Sequence, residues 1–238
     1  MTADIHRLKY GDQEILFRLV RRARSTLEIA VEPDASVVIT APLDAPMPTI
    51  EAKLRKRAVW VIRQQKFFLQ FSPRTPERRY VAGETHLYLG RQYRLKIILH
   101  EVEEVKLRGG FLMVFSRRPN NTSNTQKLVD AWYRQRAHVK FPERLEQCLK
   151  RFSRPERFRP DGLIIRRIRK RWGSLSPSGR LLLNVRLMQA PTDAIDYVIT
   201  HELCHMAEPH HGPAFHQLLT TVMPDWKRRK QRLERILA

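Results

Sequence analysis

The 238-residue sequence is poor in cysteine, short of acidic charge and without long apolar runs. Its two cysteines, Cys148 and Cys204, are too few for a disulfide framework and agree with a reducing compartment. No stretch approaches the roughly 18 consecutive apolar residues of a membrane helix, and the opening MTADIHRLKY lacks the apolar region of a secretory signal. The expectation is a cytoplasmic protein with no membrane span. No glycine-rich loop of the phosphate-cradling kind occurs, which counts against nucleotide handling by that device.

Against 24 acidic residues stand 45 basic ones, a formal net charge of +21. The excess is not a tail. It lies in short clusters at Arg21 to Arg24, Lys53 to Arg57, Arg166 to Arg171 and Lys227 to Arg232. Such a surface keeps the chain soluble and suits DNA or another polyanion as partner. One window departs from it: between Arg186 and Lys227 there is no Lys or Arg, whereas Asp193, Asp196, Glu202, Glu208 and Asp225 are all acidic. A basic frame thus surrounds a stretch compatible with a bound cation.

Local patterns give an α+β fold. Ile15 to Val20, Thr26 to Val31, Ser36 to Ala41, His86 to Leu89, Tyr93 to Leu99, Glu104 to Leu107 and Phe111 to Phe115 read as strands, and Thr49 to Phe71 as a long helix introduced by Pro46 and Pro48. Residues 1–116 read as a β-rich N-terminal unit carrying that helix. The polar RRPNNTSNT, residues 117–125, reads as a linker. Residues 126–238 then give a helix (Gln126 to Phe152), a small antiparallel sheet with a strand from Arg180 to Leu187, and further helices. No internal repeat is visible.

Chemistry concentrates at residues 201–205, His-Glu-Leu-Cys-His. Asp193, with Asp196 three positions on, reads as the N-cap of a helix that carries this segment. At 3.6 residues per turn His201 and His205 lie one turn apart, so both imidazoles can reach one ion. Glu202 falls within the apolar stripe of Ile195, Val198, Ile199, Leu203 and Met206, where an isolated carboxylate is costly unless a nearby cation compensates it. A catalytic zinc takes three protein ligands and keeps a position open. Glu208, His210, His211 and His216 are the candidates for the third, and spacing alone does not choose among them. Cys204, about 100° round the helix from His205, reads as a packing residue.

HELCHMAEPHHGPAF resembles the signature HELxHxxxxxHxxxF of the YgjP-like metallopeptidases, predicted metal-dependent hydrolases related to the SprT-like and WLM zinc peptidases. ARSTLEIAVEPDASVVITAP, GETHLYLGRQYRLKI, AWYRQRA, RWGSLSPSGRLLLNVRL and AIDYVITHEL are similar to family blocks in family order, over about residues 15–235. The resemblance implies a minimal zincin-like core in residues 126–238, selects His211 as third ligand, and departs from the family at Leu175, where Cys is common.

It implies Zn²⁺ on His201, His205 and His211, three imidazoles that also tolerate Ni²⁺ or Mn²⁺. Glu202 is then the general base for water attacking a peptide carbonyl. Arg171, Trp172 and Asn184, on the hairpin 171–187, are candidates for contact with a peptide or protein substrate added at a strand edge. Two other functions stand beside this one. Family members also carry a nucleotide pyrophosphatase annotation, and the basic surface suits a DNA-associated protease or a nucleic-acid-binding protein.

Overall fold

Ile5–Tyr10 (β1) and Gln13–Arg22 (β2) close around a two-residue turn in which Gly11 takes the left-handed conformation, with φ at 59°. The computed structural model describes residues 5–32, 34–70, 78–168 and 171–237. Strand β1 was not expected, because its apolar residues Ile5, Leu8 and Tyr10 do not keep a period of two. Glu28–Val31 (β3) and Val37–Pro42 (β4) complete a four-stranded sheet of order β1-β2-β4-β3, with β2 parallel to β4. Helix α1, Met47–Leu69, lays Ile50, Leu54, Ala58 and Val61 onto it, a spacing of three and four that keeps one face inward.

The same plan recurs after residue 78. Thr85–Tyr88 (β5), Arg91–Leu99 (β6), Glu104–Arg108 (β7) and Phe111–Ser116 (β8) form a sheet of order β5-β6-β8-β7, again with its second and fourth strands parallel, followed by the long helix α2, Thr122–Leu149. A four-strand-plus-helix pattern is therefore repeated in topology.

The described residues group into two compact units, one up to residue 70 and one from residue 78 on, so that 117–125 falls inside the second. The physical reason is packing: Tyr88, Leu95, Leu112 and Val114 of the second sheet share a core with Val129, Trp132 and Tyr133 of α2 and with the chain beyond it. Residues 117–121 form a tight connection, and Asn121 caps α2 by accepting the Asn124 N–H at 2.9 Å.

In the second unit the chain continues through Gly162–Arg166 (β9), Gly173–Leu175 (β10) and Arg180–Asn184 (β11). This sheet is mixed rather than antiparallel: β10 and β11 are the expected hairpin, but β9 joins β11 in parallel. Strand β11 ends at Asn184, whose side chain accepts the Arg186 N–H at 3.1 Å and turns the chain into a short 3-10 helix at Val185–Gln189.

Helix α3 spans Thr192–Cys204, and Pro213–Val222 (α4) and Trp226–Leu237 (α5) follow. Pro191 occupies the N-cap of α3 with no side-chain cap, so Asp193 is not the cap; it lies in the first turn and accepts from Arg232 at 2.8 Å. Asp196 has a different task from the expected capping partner. Its buried carboxylate receives both Nε and Nη2 of Arg144 at 2.8 Å, with Arg151 at 3.4 Å, which ties α3 to α2. Among the described residues no helix is long and apolar enough to cross a membrane.

Candidate metal centre

Helix α3 is buried on almost every side, with Ile195, Ile199 and Leu203 fully enclosed, so its last turn is held rigidly. The turn carries His201, and His205 caps the helix directly after it. The chain then reverses through amides of Ala207 and Glu208 that bond back to the Cys204 carbonyl, and Pro213 opens α4 at its first turn. This reversal returns His211 to the helix end.

The ligand nitrogens of His201, His205 and His211 all lie within 4.8 Å of one another. Nε2 of His211 is 3.0 Å from Nε2 of His201. The Glu208 carbonyl accepts from Nδ1 of His205 at 3.0 Å, which fixes that proton and leaves Nε2 as a free lone pair. Of the four candidates for the third position the fold brings in His211 alone. Glu208 contributes a backbone oxygen, His210 is exposed, and His216 stacks on Trp226 with ring centroids 5.6 Å apart.

Phe215 was overlooked as a working part of the site, although it closes the quoted signature. Its ring is fully buried and lies 5.0, 4.6 and 4.7 Å from the centroids of His201, His205 and His211. One side chain thus supports all three imidazoles.

Glu202 borders the core as expected, at 8% exposure. Burial pushes its carboxyl up to about 7, opposed by the Leu175 backbone amide and by the charge of Arg171. Burial, then the neighbouring His211 and His205, pushes His201 down to about 3, and burial first of all lowers His211. Both rings are therefore neutral, the form that ligates.

The donor set fits a divalent ion. Nitrogens about 2.0–2.1 Å from one tetrahedral ion stand about 3.3 Å from each other, close to the observed separation of the His201 and His211 atoms. Two neutral imidazoles at this distance can share one ring N–H in a hydrogen bond, and the same two nitrogens, once both are lone pairs, are spaced to hold one cation. Nδ1 of His201 is buried with no hydrogen-bond partner among the described residues. An ion on Nε2 would fix the remaining proton there.

The residues expected on the substrate side differ among themselves. Strand β10 passes directly over Glu202, and Arg171 at its entrance is exposed with its charge felt at that carboxylate. Trp172 is half-buried, its ring packed on the core beneath the Arg186 guanidinium at 5.3 Å. Asn184 is 1% exposed, and its amide donates to the carbonyls of Ile168 and Arg171 at 2.8 and 3.0 Å. Those bonds engage its polar atoms within the chain, so it shapes the loop before β10 and does not face a substrate. Cys204 is buried and its thiol is pushed up to about 12 by burial, a packing residue as read from the helix geometry.

Three imidazoles converging beside a buried carboxylate on an α+β scaffold form a site fit for a divalent metal. The particular family follows from comparison: the YgjP-like metallopeptidase domain matches residues 25–236, and the chain belongs to that family. A search of curated proteins finds no match.

Proposed function

We propose that this protein is a zinc-dependent peptidase of the HExxH type. The observation that carries the reading is the set of three imidazole nitrogens within 4.8 Å of one another at the end of the helix that holds Glu202. A divalent metal on those nitrogens supplies Lewis acidity, which lowers the pKa of water and polarises a carbonyl.

The chain's own residues do the rest. Glu202, whose carboxyl is raised by burial and would be lowered again by a bound cation, takes the proton of the attacking water and passes it to the leaving amine. Arg171 adds a positive charge beside Glu202 where an oxyanion develops. Strand β10 is the outer strand of the order β10-β11-β9. Its Trp172 carbonyl accepts from Asn184 N–H at 2.8 Å and its continuation Ser176 N–H donates to the Arg180 carbonyl at 2.9 Å, so the even positions face β11. Gly173 therefore turns its backbone groups away from β11, on the side where the Leu175 amide meets Glu202, and an extended peptide would add along this edge as a further strand.

A second reading, hydrolysis of a nucleoside triphosphate, draws on two cations at the centre, Arg171 by Glu202 and Lys230 by His201 and His211. Incubating the zinc-loaded chain with casein and, separately, with nucleoside triphosphates decides between them. Casein cleavage that disappears in Glu202→Gln while zinc is retained supports the peptidase; triphosphate cleavage alone, lost in the same variant, supports the second reading. Full casein turnover in Glu202→Gln would remove the base role.

A further inference from the structure

Helix α1 buries one face only. Ile50, Leu54, Ala58 and Val61 are fully enclosed against the first sheet. Its counterpart α2, which holds the same topological place in the second unit, buries nine residues, including Trp132, Tyr133, Phe141 and Leu149, because it is packed both on its own sheet and on α3. The repeated plan thus leaves α1 with an outward face that α2 covers with protein.

That outward face is cationic. Lys53, Lys56, Arg57 and Arg63 are all exposed, and at 100° per residue all four lie within about 60° of Trp60. Trp60 itself is 38% exposed, a large ring left on the surface among charges. No acid stands three or four positions from any of the four cations. The helix's single acid, Glu51, is nine residues before Trp60 and so on the opposite side. An aromatic face flanked by unneutralised Lys and Arg is the arrangement on which single-stranded bases stack while phosphates are held alongside. From Lys53 to Arg63 the helix rises about 15 Å, room for a short run of phosphates.

We propose that the outward face of α1 binds single-stranded nucleic acid, with a base stacked on Trp60 and phosphates on Lys53, Lys56, Arg57 and Arg63. An anionic membrane surface fits less well. A helix lying in a membrane interface needs a broad apolar outward face, whereas the large apolar residues exposed on α1, Val59, Trp60 and Leu69, stand among exposed Lys and Arg. The site lies within the first unit, shares no residue with the metal centre and does not depend on the proposed peptidase activity.

The test is fluorescence anisotropy of the full chain with a labelled oligo-dT across a salt series. The triple variant Lys56→Gln, Arg57→Gln, Arg63→Gln is expected to weaken binding at least tenfold and to reduce the slope of log K against log salt by about 2. Trp60→Ala is expected to weaken it by about fivefold to a hundredfold at constant slope. A charge-matched triple on β6, Arg91→Gln, Arg94→Gln, Lys96→Gln, is expected to bind within twofold of the wild type. Equal loss in the two triples would overturn the proposal, since net charge alone would then explain binding. So would tighter binding to duplex with no effect of Trp60→Ala, or binding to vesicles of acidic lipid with none to oligo-dT. All six exchanged cations and Trp60 are exposed, and unchanged thermal melting verifies that each variant folds.

Discussion

A Cβ placed on Gly173 would stand 2.9 Å from Cγ of Glu202 and 3.0 Å from Cγ1 of Val198. Strand β10 can lie on the metal-bearing helix only because this position has no side chain. The three HExxH residues are made by α3, but the working environment of Glu202 is made by the strand above it.

Gly173→Ala is therefore expected to push β10 off α3, displacing the Leu175 amide from Glu202. Turnover of a peptide substrate should fall by about ten- to a hundredfold, as misplacements of an ångström do. Metal content should stay unchanged. A fully active Gly173→Ala protein would show that β10 has no part in the reaction.

Glu202 carries a stability prediction with a definite sign. Its folded pKa, about 7, lies above the ordinary 4.5, so between those values the folded chain holds a proton that the unfolded chain releases. Stability from this group is present below pH 4.5 and falls as pH rises to 7. In metal-stripped protein Glu202→Gln should match the wild type near pH 4.5 and exceed it by about 3 kcal/mol above pH 7. Urea unfolding at both pH values measures the difference, and added zinc should narrow it.

Phe215→Leu should loosen the three imidazoles that the ring supports. A loss of about 1–2 kcal/mol in stability is expected from the smaller side chain, together with about a tenfold loss of zinc affinity in chelator competition. Leu219→Ala, a truncation at another fully buried position of α4, should cost at least as much stability and leave zinc affinity unchanged.

Asp196→Asn would remove the one buried carboxylate that Arg144 and Arg151 share. Breaking such a network by removing one partner costs about 3–5 kcal/mol. The melting temperature should fall by about 10 °C. Asn keeps the size, so an unchanged Tm would mean that the ion pairs contribute nothing net.

Much of this was readable from residues. The apolar stripe of α3 placed Glu202 at the core, and the helical spacing brought His201 and His205 together. What lay out of reach was long-range. Asn184 looked like a substrate contact because it sits on the right hairpin, but its partners, the carbonyls of Ile168 and Arg171, are 16 and 13 residues away. Asp196 has its partners 52 and 45 residues back. The division of the chain was not chosen although Ser-Pro-Arg-Thr-Pro-Glu-Arg-Arg, residues 72–79, is as polar and turn-rich as residues 117–125; the shared core of Leu95, Leu112 and Val129 is what joins the second sheet to α2. The repeated sheet plan is carried by strand order, which composition does not encode.

Zinc content of the purified full chain, by elemental analysis after dialysis, tests most directly whether His201, His205 and His211 form one centre. About one zinc per chain is expected in the wild type, in His210→Ala and in His216→Ala, and close to none in His201→Ala or His211→Ala. Full zinc in His211→Ala, or its loss in His210→Ala instead, would contradict the three-histidine site.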